Sequence, residues 1–269
     1  MSEDRQQRAE AIVSAGSVEM ALSSGTLPGT IDTTVSEALV LGLLRQGVSR
    51  FVTVLGHGST ELGEVLRVYE AAGAVRTFGV RNEVEASHAA AALRWVTGEK
   101  AAVVTSIGPG ALQALAGSLA PASDGLGVWY LFGDETSEDE GPNMQQIPGR
   151  GQHGFLRLCS ALGESYVLHT PGALGTALRR GLNTVDAAHS AGPFFLLMPM
   201  NVQPMALEGF NLDELPVVLP PPVAQADDED LYDAAADALM QASRVVVKVG
   251  AGAAGAGVEL SRLLELVDG

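Results

Sequence analysis

From Thr33 onward, segments of helical periodicity alternate with short β-rich runs, and this alternation constrains the fold more than any other property of the 269 residues. Thr34-Val35-Ser36-Glu37 spells a capping box that opens a helix closed near Gly47, and the run Phe51 to Leu55 follows as a strand. The pattern then predicts a helix over Glu61 to Ala72, a strand over Ala74 to Phe78, a helix over Glu83 to Val96 and a strand over Ala101 to Ser106. A helix from Pro109 to Leu119, a strand from Val128 to Phe132, a long loop and a helix from Phe155 to Leu162 come next. After a short strand at Tyr166, Thr170 caps a helix that starts at Pro171, and Pro193 leads into the strand Phe194 to Met198. This order defines an α/β fold, a mostly parallel sheet with helices on both faces.

Residues 1–30 are charged at first and small and polar later, and suit a short helix or a flexible arm that carries no chemistry. The α/β domain is expected over 31–205. A proline-rich and then acidic stretch, Leu215 to Asp230, has the composition of a linker, which is placed at 206–226. Beyond it, over 227–269, the pattern gives a helix (Asp228 to Ala242), a strand (Arg244 to Val249) and a helix (Gly255 to Val267). About forty residues are too few for a core of their own, so the chain is expected to stop inside a second, incomplete α/β domain.

Charge and cysteine content exclude several classes. The formal net charge of −16 repels phosphate backbones and anionic membranes, so neither nucleic acid nor a membrane surface is an expected partner. The single cysteine, Cys159, forms no internal disulfide and no CxxC metal site, which fits a reducing, cytoplasmic setting. Its apolar surroundings make it core filler rather than a nucleophile. There is no signal-peptide core and no uninterrupted apolar run of membrane-spanning length.

Val245 to Val249 followed by Gly250-Ala251-Gly252-Ala253-Ala254-Gly255 spells a strand and GxGxxG, as in dinucleotide sites. The fingerprint also needs a second strand ending in an acid, and the sequence ends in a helical pattern instead. A tight glycine turn accounts for these residues without a ligand.

The chemistry is concentrated elsewhere. Gly56-His57-Gly58-Ser59 follows one predicted strand, Arg81-Asn82-Glu83 follows a second, and Ser106-Ile107-Gly108-Pro109-Gly110 follows a third. The carboxyl ends of parallel strands share one edge, so the three segments converge on one crevice. Taken singly, each has a plainer reading: Gly108-Pro109-Gly110 as a connection, Glu83 as a carboxylate favoured by the helix dipole, and His57 as a turn residue.

The run from Val80 to Gly110 resembles the pyrimidine-binding domain of thiamine-diphosphate enzymes of the acetolactate synthase group. Within the group it looks most like trihydroxycyclohexanedione hydrolases. The likeness includes Phe51 to Gly63, Asn82-Glu83, Ser87 to Ala90, Thr105 to Gly110 and Gly133 to Ile147, and continues through Pro171 and Gly192-Pro193 to Gln203. It then reaches the start of the family's central domain at Val245 to Gly257. The resemblance implies that Glu83 hydrogen-bonds N1′ of the cofactor's aminopyrimidine and favours its imino tautomer, so that the 4′-imine removes the thiazolium C2 proton. It places Gly56, Gly58, Ser106, Gly108, Pro109 and Gly110 at the cofactor. His57 becomes a proton shuttle or substrate donor, and Gln145 and Gln146 approach from a loop, with an exposed polar loop as the other reading. His88, about 140° around the helix from Glu83, reads as a packing histidine. The acidic stretch Glu135, Glu138, Asp139 and Glu140 reads as solvated. Leu112-Gln113 stand where the family usually has an asparagine.

The family's diphosphate and Mg2+ motif, Gly-Asp-Gly with a later asparagine, has no counterpart in the sequence. The resemblance therefore implies one subunit of a split enzyme, inactive alone. A second subunit would hold the diphosphate and Mg2+ in a hetero-oligomer acting on a small-molecule carbonyl substrate. A non-catalytic scaffolding relative and a fragment of a longer enzyme are the alternatives. Some relatives bind FAD in the central domain, where Gly250 to Gly255 would touch it; half a domain gives no ground to expect it.

Overall fold

The computed structural model describes residues 2–137, 154–187, 190–218, 229–250, 253 and 256–268. It comprises two units, Met1–Val218 and Leu219–Gly269. The first unit opens with α1 (Ser2–Ala15), α2 (Val18–Ser23), β1 (Thr30–Thr34), α3 (Val35–Arg45), β2 (Val48–Val54) and α4 (Thr60–Ala72). It continues with β3 (Arg76–Gly79), α5 (Glu83–Thr97), β4 (Lys100–Thr105), α6 (Pro109–Asp124) and β5 (Val128–Asp134). After α7 (Gly154–Cys159) and β6 (Glu164–Val167) come a 3-10 turn at Pro171–Ala173, α8 (Leu174–Val185), β7 (Pro193–Pro199) and β8 (Ala206–Asn211).

The fold class is the expected one. Six strands form a parallel sheet in the order β3-β2-β4-β5-β7-β6. Successive residues of the central strands point to opposite faces, and both faces are covered. Trp129, Leu131, Phe194 and Leu196 join a core with α3, α4 and α8, while Tyr130, Phe132, Phe195 and Leu197 join one with α5, α6 and α7. Burial on both faces is why these strands read as continuous apolar runs rather than as alternations.

Cys159 lies in the second core, fully buried. Burial first, then the charge of Asp134, pushes its thiol up to about 12 from an ordinary 9.0. The folded chain therefore keeps a proton that the unfolded chain releases. The Cys159 contribution to stability is intact below pH 9.0 and is lost as pH rises towards about 12. In native protein at neutral pH, Cys159 is expected to resist thiol reagents and to react only as urea unfolds the chain; rapid labelling without denaturant would contradict this burial.

The amino-terminal residues are integral to the first unit rather than a flexible arm. Ala9, Ile12, Val18, Ala21 and Leu27 are buried in its first core. Arg8 donates from Nε and Nη2 to the two carboxylate oxygens of Glu37, each at 2.8 Å. Glu37, itself 1% exposed, also accepts from Thr33 Oγ1 at 2.7 Å and from the Tyr69 hydroxyl at 2.9 Å. Arg5 donates to Thr34 Oγ1 at 2.9 Å and Glu61 Oε1 at 2.8 Å. The capping box at Thr34 is thus half realised: Thr34 Oγ1 accepts from the Glu37 backbone N–H at 3.4 Å, but the Glu37 side chain is committed to this cluster.

The linker expected at 206–226 does not start at 206. Residues 206–211 form β8, antiparallel to β1 in a two-stranded ribbon, with Leu207 and Phe210 packed against the first core. Leu212 and Leu215 are buried just beyond, and Arg45 donates to both of their carbonyls. Residues 219–226 of the expected linker lie outside the described residues.

In the second unit, helices α9 (Glu229–Gln241) and α10 (Gly257–Asp268) appear as expected, but the strand predicted over Arg244 to Val249 is not formed. Val246 and Val249 are 80% and 50% exposed. A β-rich run becomes a strand only when a neighbour completes its hydrogen bonds, and no described residue pairs with this one. The dinucleotide spelling thus loses its strand. Ala251, Gly252, Ala254 and Gly255 lie outside the described residues. Among the described residues, no helix is long and apolar enough to cross a membrane.

Candidate functional site

The direction of winding reverses between β2 and β4: β2 leads outward to β3, and the chain then returns to lay β4 on the other side of β2. Adjacent crossovers diverge there, leaving a crevice at the carboxyl ends of the two strands. Val54 pairs with Thr105, so both strands end at one level and their following turns lie side by side. Ile107 N–H donates to the His57 carbonyl at 3.0 Å, joining the two turns directly.

The turn after β2 is locked from within and from below. Ser59, fully buried, accepts from Gly56 N–H at 3.0 Å and donates back to the Gly56 carbonyl at 3.1 Å. Gly58 takes φ of +80°, and a side chain there would meet Gly133 Cα at 3.1 Å. Glycine at both Gly58 and Gly133 lets the backbone of this turn touch the end of β5. Gln203, 2% exposed, donates from Nε2 to the Gly58 carbonyl at 2.6 Å and to the Met198 carbonyl at 2.9 Å. It fastens the turn to the end of β7.

Helix α5 opens on Asn82, whose side chain accepts from Glu85 N–H at 2.9 Å, while Glu85 reaches back to Arg81 N–H at 3.3 Å. Capping is therefore carried out by Asn82 and Glu85. Glu83, 9% exposed, has no hydrogen-bond partner among the described residues. Glu83 stands in the first turn of α5, where the plainer reading of a carboxylate favoured by the helix dipole also fits. The close approach of α5 to α6 brings its carboxylate to the third turn: a side chain at Gly117 would meet Ser87 Cβ at 2.5 Å, and Ser87 donates to the Ala114 carbonyl at 2.8 Å.

Gly108 enters α6 with φ of +71° and ψ of −117°, and Pro109 occupies the first helical turn. A side chain at Gly110 would lie 2.5 Å from Ser106 Oγ and 2.9 Å from Glu83 Oε1, and one at Gly56 would lie 3.0 Å from Ser106 Cβ. Glu83, Gly110, Ser106, Gly56 and His57 thus follow one another along the crevice. The arrangement offers a nearly dry carboxylate acceptor beside backbone that ligand atoms can approach closely.

His57 is half-exposed, and its Nε2 stands 3.5 Å from Glu135 Oε1. The Glu135 side chain is 10% exposed, so it is not the solvated residue expected from its acidic neighbourhood. His88 is exposed rather than packed. Leu112 is 46% exposed on α6. Gln145, Gln146, Glu138, Asp139 and Glu140 lie outside the described residues. From the sequence, Ser59 is named only as the last residue of the first segment and Glu135 only as solvated, and Gln203 is given no role at the site. For Ser59 the signal was its position closing Gly56-His57-Gly58, whereas nothing local marked the other two.

A parallel sheet with two glycine turns and a buried acid at its switch point, unpartnered among the described residues, has the form of a ligand crevice of an α/β domain. Residues 33–154 match the family model for thiamine pyrophosphate enzymes, N-terminal TPP binding domain. The match spans β2 to β5 and all three turns, so the part of the chain that carries the crevice is similar to that cofactor-binding domain. No curated protein matches the chain.

Proposed function

We propose that this chain is the pyrimidine-binding subunit of a thiamine-diphosphate enzyme that makes or breaks a C–C bond next to a carbonyl, in the manner of an acetolactate synthase-like carboligase or lyase or of a cyclic dione hydrolase. The observation that carries this reading is Glu83: a carboxylate 9% exposed, without a hydrogen-bond partner among the described residues, against the Gly110 cradle. An acid in that position shares a proton with a ring nitrogen of the aminopyrimidine, a contact that a dry, apolar setting strengthens. Gly56, Gly58, Ser106, Gly108, Pro109 and Gly110 form the adjoining wall, and His57 moves protons on the substrate side. When bound, thiamine diphosphate supplies a thiazolium electron sink for the bond that is broken or formed. No Gly-Asp-Gly motif occurs among these 269 residues, and in this reading the diphosphate and Mg2+ fall to a second polypeptide or to another part of a longer chain.

Native mass spectrometry of the chain, affinity-purified from its source cells with thiamine diphosphate and Mg2+ present, tests this. The expected result is a complex with a second polypeptide that carries the cofactor's mass. A homo-oligomer or lone chain without cofactor overturns the split-enzyme reading. Assay of the complex then separates the chemistries: acyloin formation marks a carboligase, and ring opening of a cyclic dione marks a hydrolase.

A further inference from the structure

Glu135 stands one residue past the end of β5, and its carboxylate is nine-tenths buried. Among the described residues its Oε1 has no hydrogen-bond partner, and His57 Nε2 stands 3.5 Å from it. The glycine-to-glycine contact between Gly58 and Gly133 forces the two side chains together, since each lies one residue from that contact or two. The His57 carbonyl and the Gly58 carbonyl are both anchored, by Ile107 N–H and Gln203, so the imidazole is presented to Glu135 from a fixed turn.

We propose that Glu135 is a positioning residue that acts through His57, accepting a hydrogen bond from Nε2–H and leaving Nδ1 as the nitrogen that gives and takes protons. A buried carboxylate behind one ring nitrogen fixes the tautomer and ring orientation and raises electron density on the other nitrogen. The assignment deepens the reading of His57 as the proton-handling residue of the thiamine-diphosphate site, and rests on it. An acidic residue in a run of acids thereby acquires a specific task, and the half-exposed histidine becomes a base with a defined working atom.

The test is the rate at which diethyl pyrocarbonate acylates His57 in the isolated chain at about pH 8, followed by mass spectrometry of the His57 peptide. The ring acts as nucleophile through Nδ1, so the rate reports what Glu135 does to it. Glu135→Gln keeps the shape but replaces a charged acceptor by a neutral one about half as strong, and is expected to slow acylation about fivefold. Glu135→Asp keeps the charge and is expected to stay within about twofold of the parent chain. Equal rates in all three chains, or equal slowing in both variants, would overturn the proposal, because a purely structural role does not distinguish charge from shape. Thermal unfolding identifies any variant that fails to fold. Should Glu135→Gln fail, the comparison passes to Glu135→Ala, with the same fivefold slowing expected. Thiamine diphosphate titration into the purified complex is scored separately: absence of binding counts against the proposed function, while the acylation rates still decide the role of Glu135.

Discussion

Replacing Glu83 by glutamine is expected to lower thiamine-diphosphate-dependent turnover of the assembled enzyme by about a thousandfold, while the thermal midpoint stays within about 2 °C. The side chain has no described hydrogen-bond partner to lose, and helix α5 keeps its cap through Asn82 and Glu85, so the folded state has little reason to change. What disappears is the negative charge that shares a proton with the cofactor ring. Steady-state kinetics with the purified complex decides the matter: a Gln variant within tenfold of the parent rate removes Glu83 from this role. Gly110→Ala offers a companion variant that leaves the acid in place. The added methyl group would meet the ends of the Ser106 and Glu83 side chains rather than backbone, so the chain folds and the carboxylate moves.

The largest effect on stability is expected at Arg8. Burial alone lowers the proton affinity of its guanidinium, but the hydrogen bonds and charge of Glu37 outweigh this and hold the proton more tightly than usual. Arg8→Ala strips two charge-assisted hydrogen bonds from a carboxylate that is 1% exposed, leaving Arg5 Nε at 3.5 Å as its cationic neighbour. The expected loss is about 3 kcal/mol, because an uncompensated buried charge costs more than the pair contributed. Urea denaturation followed by circular dichroism measures it. A loss below about 0.5 kcal/mol would mean that α1 is dispensable to the first unit. Burial, and then the charge and hydrogen bonding of Glu37, also push the Tyr69 hydroxyl well above its ordinary value.

The sheet was legible because its central strands are buried on both faces and cannot avoid apolar runs. Helix α5 and the two glycine turns were legible because caps and tight turns demand particular residues. The amino-terminal helix was not, since the residues that dock it include Arg5 and Arg8, and buried arginines are indistinguishable by composition from solvated ones until Glu37 is seen beneath them. β1 and β8 escaped for a different reason. Thr30–Thr34 and Ala206–Asn211 are short and only partly buried, and their pairing joins residues far apart in sequence. The error at Arg244 to Val249 runs the other way, with a strong local preference and no pairing partner among the described residues. At the site, the convergence of the three segments holding Glu83 and the glycines could be read from the order of strands and helices, whereas the role of Glu83 came only with the family resemblance. Glu135 could not, because its role depends on a backbone contact between the β2 and β5 turns.

The β1–β8 ribbon pairs Thr30 with Asn211 and Thr34 with Ala206. The chain therefore enters the six-stranded sheet region and leaves it side by side, through one doorway. A unit with adjacent entry and exit points can be spliced into a longer polypeptide, or released from one, without pulling any strand of the sheet out of register. Under the proposed split-enzyme function, such a doorway lets gene fission and fusion move the sheet and its crevice, together with the docked amino-terminal helices, as one piece.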